Sequence, residues 1–196
     1  MRKSTIERQT AETKVYIALD LDGEGKVDIE TGIGFFDHML THIGKHSFMN
    51  LEVKVTGDLY IDGHHTIEDT GIVLGQAIKV ALGDKVGIER YGDRIVPMDE
   101  ALLVCALDLS GRSYLEIDTP FINERVGNFE TQMVEEFFRA VAVHGGMNLH
   151  LQVLKGKNDH HIIEGMCKAF AKALAQAVGY NPRVQGVLST KGTLEV

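Results

Sequence analysis

The chain repeats itself. Ala18-Leu19-Asp20-Leu21-Asp22-Gly23 returns as Ala106-Leu107-Asp108-Leu109-Ser110-Gly111, and Glu12, Ile29 and Thr31 return as Glu100, Ile117 and Thr119, all displaced by 88 residues. His46-Ser47-Phe48-Met49-Asn50-Leu51 then returns as His144-Gly145-Gly146-Met147-Asn148-Leu149, and His64-His65-Thr66-Ile67-Glu68 as His160-His161-Ile162-Ile163-Glu164. Agreement of this length and order marks a tandem duplication of one unit of about 85 residues, and a duplicated unit constrains the chain to fold the same way twice.

The spacing of apolar residues predicts what the unit is. Val15, Ile17 and Leu19 alternate as in a strand with one buried face, Asp22-Gly23-Glu24-Gly25 signals a turn, and Val27, Ile29 and Thr31 continue as a second strand. Phe36, Met39, Leu40 and Ile43 recur at helical spacing, Leu51, Val53 and Val55 alternate again, and Ile67, Gly71, Leu74, Ile78 and Leu82 form a helical stripe. The expected unit is β-β-α-β-α, and the expected fold is α+β, a tandem duplication with helices packed on one side of the sheets and the sheets lying side by side. Residues 1–93 hold the first repeat with a polar N-terminal arm over residues 1–11. Residues 94–196 hold the second, with Arg90–Glu100 read as a connector broken at Pro97 and a Gly-rich polar tail from Asn181 onward.

The two His-His-x-x-Glu segments carry the chemistry. On a helix turning roughly 100° per residue, the first His stands at about 0°, the second at about 100° and the Glu at about 40°, so all three project from one face. Imidazole nitrogen with carboxylate oxygen suits divalent Mn, Fe, Co or Zn, and two such segments at equivalent places imply two metals. The repeat adds His38 and Glu136, equivalent positions that stand eight residues before His46 and His144. Because the second His and the Glu of each doublet are three residues apart, the spacing pairs them on one ion. That sorts His38, His65, Glu68 and His160 to one metal and Glu136, His64, His161 and Glu164 to the other.

Composition removes several classes. With 44% hydrophobic residues in 196, the chain has enough apolar material for one ordinary core or two small subdomains. No apolar run approaches the roughly 20 residues of a membrane helix, and the first ten residues lack the apolar core of a secretory signal, so a cytosolic location is expected. A net charge of −8 without clustered Lys and Arg argues against a nucleic-acid surface. Cys105 and Cys167 sit in apolar contexts and read as core residues.

Phe36-Asp37-His38-Met39-Leu40, Asp62-Gly63-His64-His65 with Glu68-Asp69, Asn158-Asp159-His160-His161 with Glu164, and Ser189-Thr190-Lys191-Gly192 closely resemble imidazoleglycerol-phosphate dehydratase, from about Glu12 to Lys191. The resemblance implies a hydro-lyase of L-histidine biosynthesis that converts D-erythro-imidazole glycerol phosphate to imidazole acetol phosphate and water. It implies two Mn²⁺ per active site, with the substrate imidazolate bridging them, and a homo-oligomer of twenty-four subunits with active sites between chains. By resemblance Glu12 is the general acid/base, acting with the metal-binding His64, His65, Glu68, His160, His161 and Glu164. His38 and His46 meet substrate, and Arg90, Arg112, Lys168, Ser189 and Lys191 take the phosphate. Where many members of the family carry His, this chain has Glu136. His42 and His150 have no motif to support them, His144 reads as the symmetry partner of His46 left by duplication, and all three stay outside the expected site. Two other classes compete: a dimetal hydrolase of a small phosphorylated substrate, and a non-catalytic shell in which metals join subunits.

Overall fold

A computed structural model describes residues 2–194; Met1 and residues 195 and 196, the outer ends of the polar arm and of the tail, lie outside the described residues. The first half runs β1 (Lys3–Gln9), β2 (Thr13–Asp20), β3 (Val27–Glu30), α1 (Gly34–Ser47), β4 (Asn50–Gly57) and α2 (His64–Leu82). The second runs β5 (Tyr91–Met98), β6 (Ala101–Asp108), β7 (Tyr114–Ile117), β8 (Arg125–Val126), β9 (Phe129–Glu130), α3 (Met133–Gly145), β10 (Asn148–Lys155) and α4 (Asp159–Val178). The sheets have orders β1-β2-β4-β3 and β5-β6-β10-β7, and β8 and β9 form a separate hairpin.

The duplication holds to the level of register. Lys3 lies opposite Asp20 and Tyr91 opposite Asp108; Asn50 lies opposite Asp20 and Asn148 opposite Asp108. Val27 pairs in parallel with Leu51, and Leu115 with Leu149. A one-residue slip would turn Val15, Ile17 and Leu19, all buried, out to solvent, which is why the apolar alternation fixes the pairing. The β8–β9 hairpin sits where the displacement between halves grows from 88 to 98 residues.

Two expectations about the ends of the repeats are corrected. Within the polar arm expected over residues 1–11, residues 3–9 form the edge strand β1, and most of the Arg90–Glu100 connector is the equivalent edge strand β5. Both were disguised because an edge strand alternates weakly: Ile6 and Val96 are only half-buried, and Pro97 is tolerated where a strand has a free edge. Each unit therefore places three strands of its four-stranded sheet before its first helix, and the second unit adds the β8–β9 hairpin.

Each sheet is covered on one face by its own helices: α2 lies on β1 and β2, α1 on β3, α4 on β5 and β6, and α3 on β7. The halves meet helix to helix, α1 against α4 and α2 against α3, so the helices form a layer with a sheet on either side instead of the sheets lying side by side. A sheet with one apolar face and amphipathic helices leaves each unit a second apolar surface, and the other unit is what covers it. The α2–α3 crossing is close. A Cβ on Gly71 would stand 2.8 Å from Phe137 O and 2.9 Å from Ala140 Cβ, and one on Gly75 would stand 2.7 Å from Val141 O.

Candidate metal centre and anion cleft

The α1–α4 contact gathers a donor cluster. His38, His160 and Glu164 present ligand atoms that all lie within 4.8 Å of one another. His38 Nε2 is 3.2 Å and His160 Nε2 3.1 Å from Glu164 Oε2. The other oxygen of Glu164, Oε1, accepts from Lys168 Nζ at 2.6 Å and lies 3.4 Å from His42 Nε2. His42 in turn stands 3.2 Å from His38 Nε2 and stacks on His46 with ring centroids 5.4 Å apart. The row His38, His42, His46 follows from the four-residue helical repeat on α1. Phe35, packed on Phe129 of the β8–β9 hairpin, meets His160 edge-on and props this end of the cluster.

Burial opposes the Glu164 charge, but the Lys168 hydrogen bond and the neighbouring His42 and His38 outweigh it and hold the carboxyl at about 2. Burial pushes His42 down to about 4 against the pull of Glu164, so its imidazole is neutral at pH 7. An ionised carboxylate, its side chain only 7% exposed and faced by the imidazole nitrogens of His38, His42 and His160, fits a divalent cation.

Within each doublet the structure reverses the expected pairing. The first His, four residues before the Glu, shares its face: His160 with Glu164, and His64 with Glu68 at 3.5 Å. A separation of about 40° around the helix brings these closer than the about 60° between the second His and the Glu. Glu164 consequently belongs with His38 and His160, not with Glu136, His64 and His161. The second His of each doublet turns away, its ring centroid 6.1 Å from the first. A carboxylate holds it there: His65 Nδ1 donates to Asp58 at 3.0 Å and His161 Nδ1 to Glu100 at 2.7 Å. Those hydrogen bonds raise both imidazole pKa values, and the bond from His161 holds Glu100 down at about 2. A carboxylate on Nδ1 fixes the tautomer and leaves Nε2 directed outward, the arrangement common for metal-bound imidazole.

The halves differ in which carboxylate does this. At the place equivalent to Asp58 the second half has Gly156, so Glu100 moves onto His161. Its counterpart Glu12 has no such duty; it is half-exposed, with its carboxylate 3.7 Å from His65 Nε2. On α3, Glu136 occupies the position of His38, half-buried in the first turn. The residue beside Glu68, Asp69, is buried and ties α2 to Arg8 of β1 and Thr13 of β2. A side chain just ahead of each doublet accepts a backbone N–H of its first His: Asn158, the N-cap of α4, from His160 N at 3.0 Å, and Asp62, one residue before the α2 N-cap Gly63, from His64 N at 2.8 Å.

The cationic residues gather elsewhere. Arg90, Arg112, Ser189 and Lys191 line one open cleft of about 1090 Å³, joined by Arg183. Arg90 takes φ 68, a left-handed backbone rare for a side-chain-bearing residue. It is held there by its N–H on Ala177 O at 2.9 Å and by a two-pronged pair with Asp108 at 2.7 and 2.9 Å. Lys168 is absent from this cleft and sits on Glu164. Because Arg90 meets the last turn of α4 while Glu164 lies in its second, cleft and cluster are about 20 Å apart within the chain.

Reasoning from sequence missed His42, Asp58, Arg183 and the supporting role of Glu100. His42 had a signal, since it lies four residues from both His38 and His46; Asp58 had none, because its partner comes from a different element.

Duplicated sheets enclosing paired helices, with a His/Glu group able to hold a metal ion where α1 meets α4, are the features that mark the class of this protein. Residues 31–174 match the imidazoleglycerol-phosphate dehydratase family. Relatives of that description from Lachnoclostridium phytofermentans and Streptococcus mutans are 57% and 58% identical over 194 residues, covering 99% of this chain and 99% and 100% of theirs. The crystal structure of imidazoleglycerol-phosphate dehydratase from Staphylococcus aureus superposes with TM-score 0.83 at 38% identity, covering 91% of this chain and 99% of that one. The enzyme from Pyrococcus furiosus, in complex with (S)-C348, gives 0.82 at 32% identity over 96% of this chain and 99% of its own. The chain belongs to the imidazoleglycerol-phosphate dehydratase family, and is a hydro-lyase. Among the described residues no helix is long and apolar enough to cross a membrane.

Proposed function

We propose that this chain dehydrates D-erythro-imidazole glycerol phosphate to imidazole acetol phosphate in histidine biosynthesis, with two Mn²⁺ per active site bridged by the substrate imidazole. The observation that carries this reading is the His38, His160 and Glu164 cluster in a chain of this family. Two bound cations would supply the charge that favours loss of the ring N–H and so lets the ring push electrons toward the leaving hydroxyl.

The protein's own residues do the rest. His38, His160 and Glu164 hold one ion, and Glu136, His64 and Glu68 hold the other. His65 and His161, turned outward on Asp58 and Glu100, reach the ions of a neighbouring chain. Glu12, free of any structural pairing of the kind that engages Glu100, moves a proton at the substrate's C–H or leaving hydroxyl. Arg90, Arg112, Ser189 and Lys191 bind the phosphate in the cleft, the Arg side chains by their planar forks. Lys168 and His46 meet substrate from the metal side. The separation of about 20 Å between cleft and cluster along α4 exceeds the reach of one small phosphorylated imidazole, which supports active sites composed from different chains. A homo-oligomer, twenty-four subunits by family resemblance, follows from that requirement.

The test is turnover of imidazole glycerol phosphate by chelator-stripped protein with and without added Mn²⁺, followed through the enolised ketone product. Product formed only with metal is the expected result. Two ions bound per chain with no product would leave the ligands standing and remove the dehydration.

A further inference from the structure

The two poles of the chain are built on the same topology but not from the same donors. At the α1–α4 pole, His42 Nε2 lies 3.2 Å from His38 Nε2 and 3.4 Å from Glu164 Oε1, with its side chain only 17% exposed. Donor atoms that share one ion with bonds of about 2.1 Å stand roughly 3 to 3.5 Å apart, and His42 keeps that spacing from His38 and from Glu164 Oε1, the oxygen that also accepts from Lys168, at the side of the His38, His160 and Glu164 group. At the α2–α3 pole the residues equivalent to His38 and His42 are Glu136 and Ala140. Ala140 sits at the helix crossing, its Cβ where a Cβ on Gly71 would be only 2.9 Å away, and it brings no donor atom.

We propose that His42 is a further metal ligand, giving the α1–α4 pole three imidazoles and one carboxylate, while the α2–α3 pole offers one imidazole, His64, and two carboxylates, Glu136 and Glu68. The inference rests on the two-metal reading above and deepens it. Imidazole-rich sites discriminate for Zn²⁺ or Co²⁺ over Mn²⁺, whereas carboxylate-rich sites favour Mn²⁺ and Mg²⁺. The two ions of each chain are therefore held unequally, with the first pole the more selective for nitrogen-loving metals. Outward-facing His65 and His161 are supported alike, one by Asp58 and the other by Glu100, so they do not cancel the difference.

The experiment loads stripped, full-length protein with Mn²⁺, confirms two per chain by metal analysis, and titrates with Zn²⁺ while free Mn²⁺ is read by electron paramagnetic resonance. The expected release is biphasic, half of the Mn²⁺ leaving at a Zn²⁺ concentration at least about tenfold below that needed for the rest. His42→Gln, close to isosteric and checked for unchanged circular dichroism, should merge the phases. Glu136→His should draw the second phase toward the first. Single-phase release from the unaltered protein overturns the asymmetry, and two phases untouched by His42→Gln overturn His42 as a ligand; either result leaves two metals in place. Fewer than two Mn²⁺ bound per chain overturns the two-metal reading and the asymmetry with it.

Discussion

The α1–α4 and α2–α3 contacts are one structural event performed twice, and they have diverged in different directions. The α2–α3 contact is a close crossing on Gly71 and Gly75, against Phe137, Ala140 and Val141. The α1–α4 contact carries Cys167 and Ala171 at the matching places on α4 and lines α1 with His38, His42 and His46. Backbone register survived in both halves because the apolar face of each sheet enforces it. Side chains at the poles were free to change as far as the helix crossing allowed. What separates the poles is thus packing first and ligand chemistry second.

The largest effect that would sharpen this contrast comes from the carboxylates equivalent by repeat, Glu12 and Glu100. Glu12→Gln should lower kcat by about 10²- to 10⁴-fold with metal content unchanged, the loss expected for a general acid/base. Glu100→Gln should instead weaken metal binding roughly 10- to 100-fold by releasing His161, with turnover recovered at high Mn²⁺. Titration calorimetry beside steady-state kinetics separates the two outcomes, and identical behaviour of both variants would break the distinction.

Gly75→Ala tests the packing side. Helix propensity favours Ala by about 1 kcal/mol, but overpacking costs about 1–3 kcal/mol, and the new Cβ would meet backbone atoms of Val141 and Gly145 that cannot swing aside. Net destabilisation of about 1–2 kcal/mol is expected in denaturant unfolding. At the other pole Ala171→Gly should cost about 1 kcal/mol from propensity alone; a stabilising Gly75→Ala would show that the crossing is looser than its geometry.

The smallest effect is a titration. In metal-free protein the His161 ring should titrate above the ordinary value near 6.5, because Glu100 favours its protonated form. The sign follows: this pair's contribution to stability is present below the unfolded pKa and fades as pH rises through the raised folded one. Nuclear magnetic resonance of the ring proton should show the midpoint return toward the ordinary value in Glu100→Gln, while His65, held by Asp58, stays raised.

Much of this was legible in the chain. The duplication, the helices carrying each doublet and the strands β2, β3 and β4 follow from repeats and apolar spacing, which are local properties. The edge strands β1 and β5 were not, since an edge buries little and so leaves little pattern. The donor residues could be named from the sequence, but their partnership could not: the doublet spacing admits either His beside the Glu. The choice falls to Asp58 and Glu100, which pull the second His aside from separate elements.

By itself the sequence determined that one unit is built twice and that His and Glu stand at the start of its last helix, because register and helical phase are set by neighbours along the chain. Only the tertiary structure decided that the halves meet helix against helix, that Glu164 joins His38 and His160, and that His42 stands among them. It also decided that the cationic cleft lies at the far end of α4 from that cluster. Those are contacts between residues distant in sequence, fixed by which apolar faces cover one another, and no spacing along the chain encodes them.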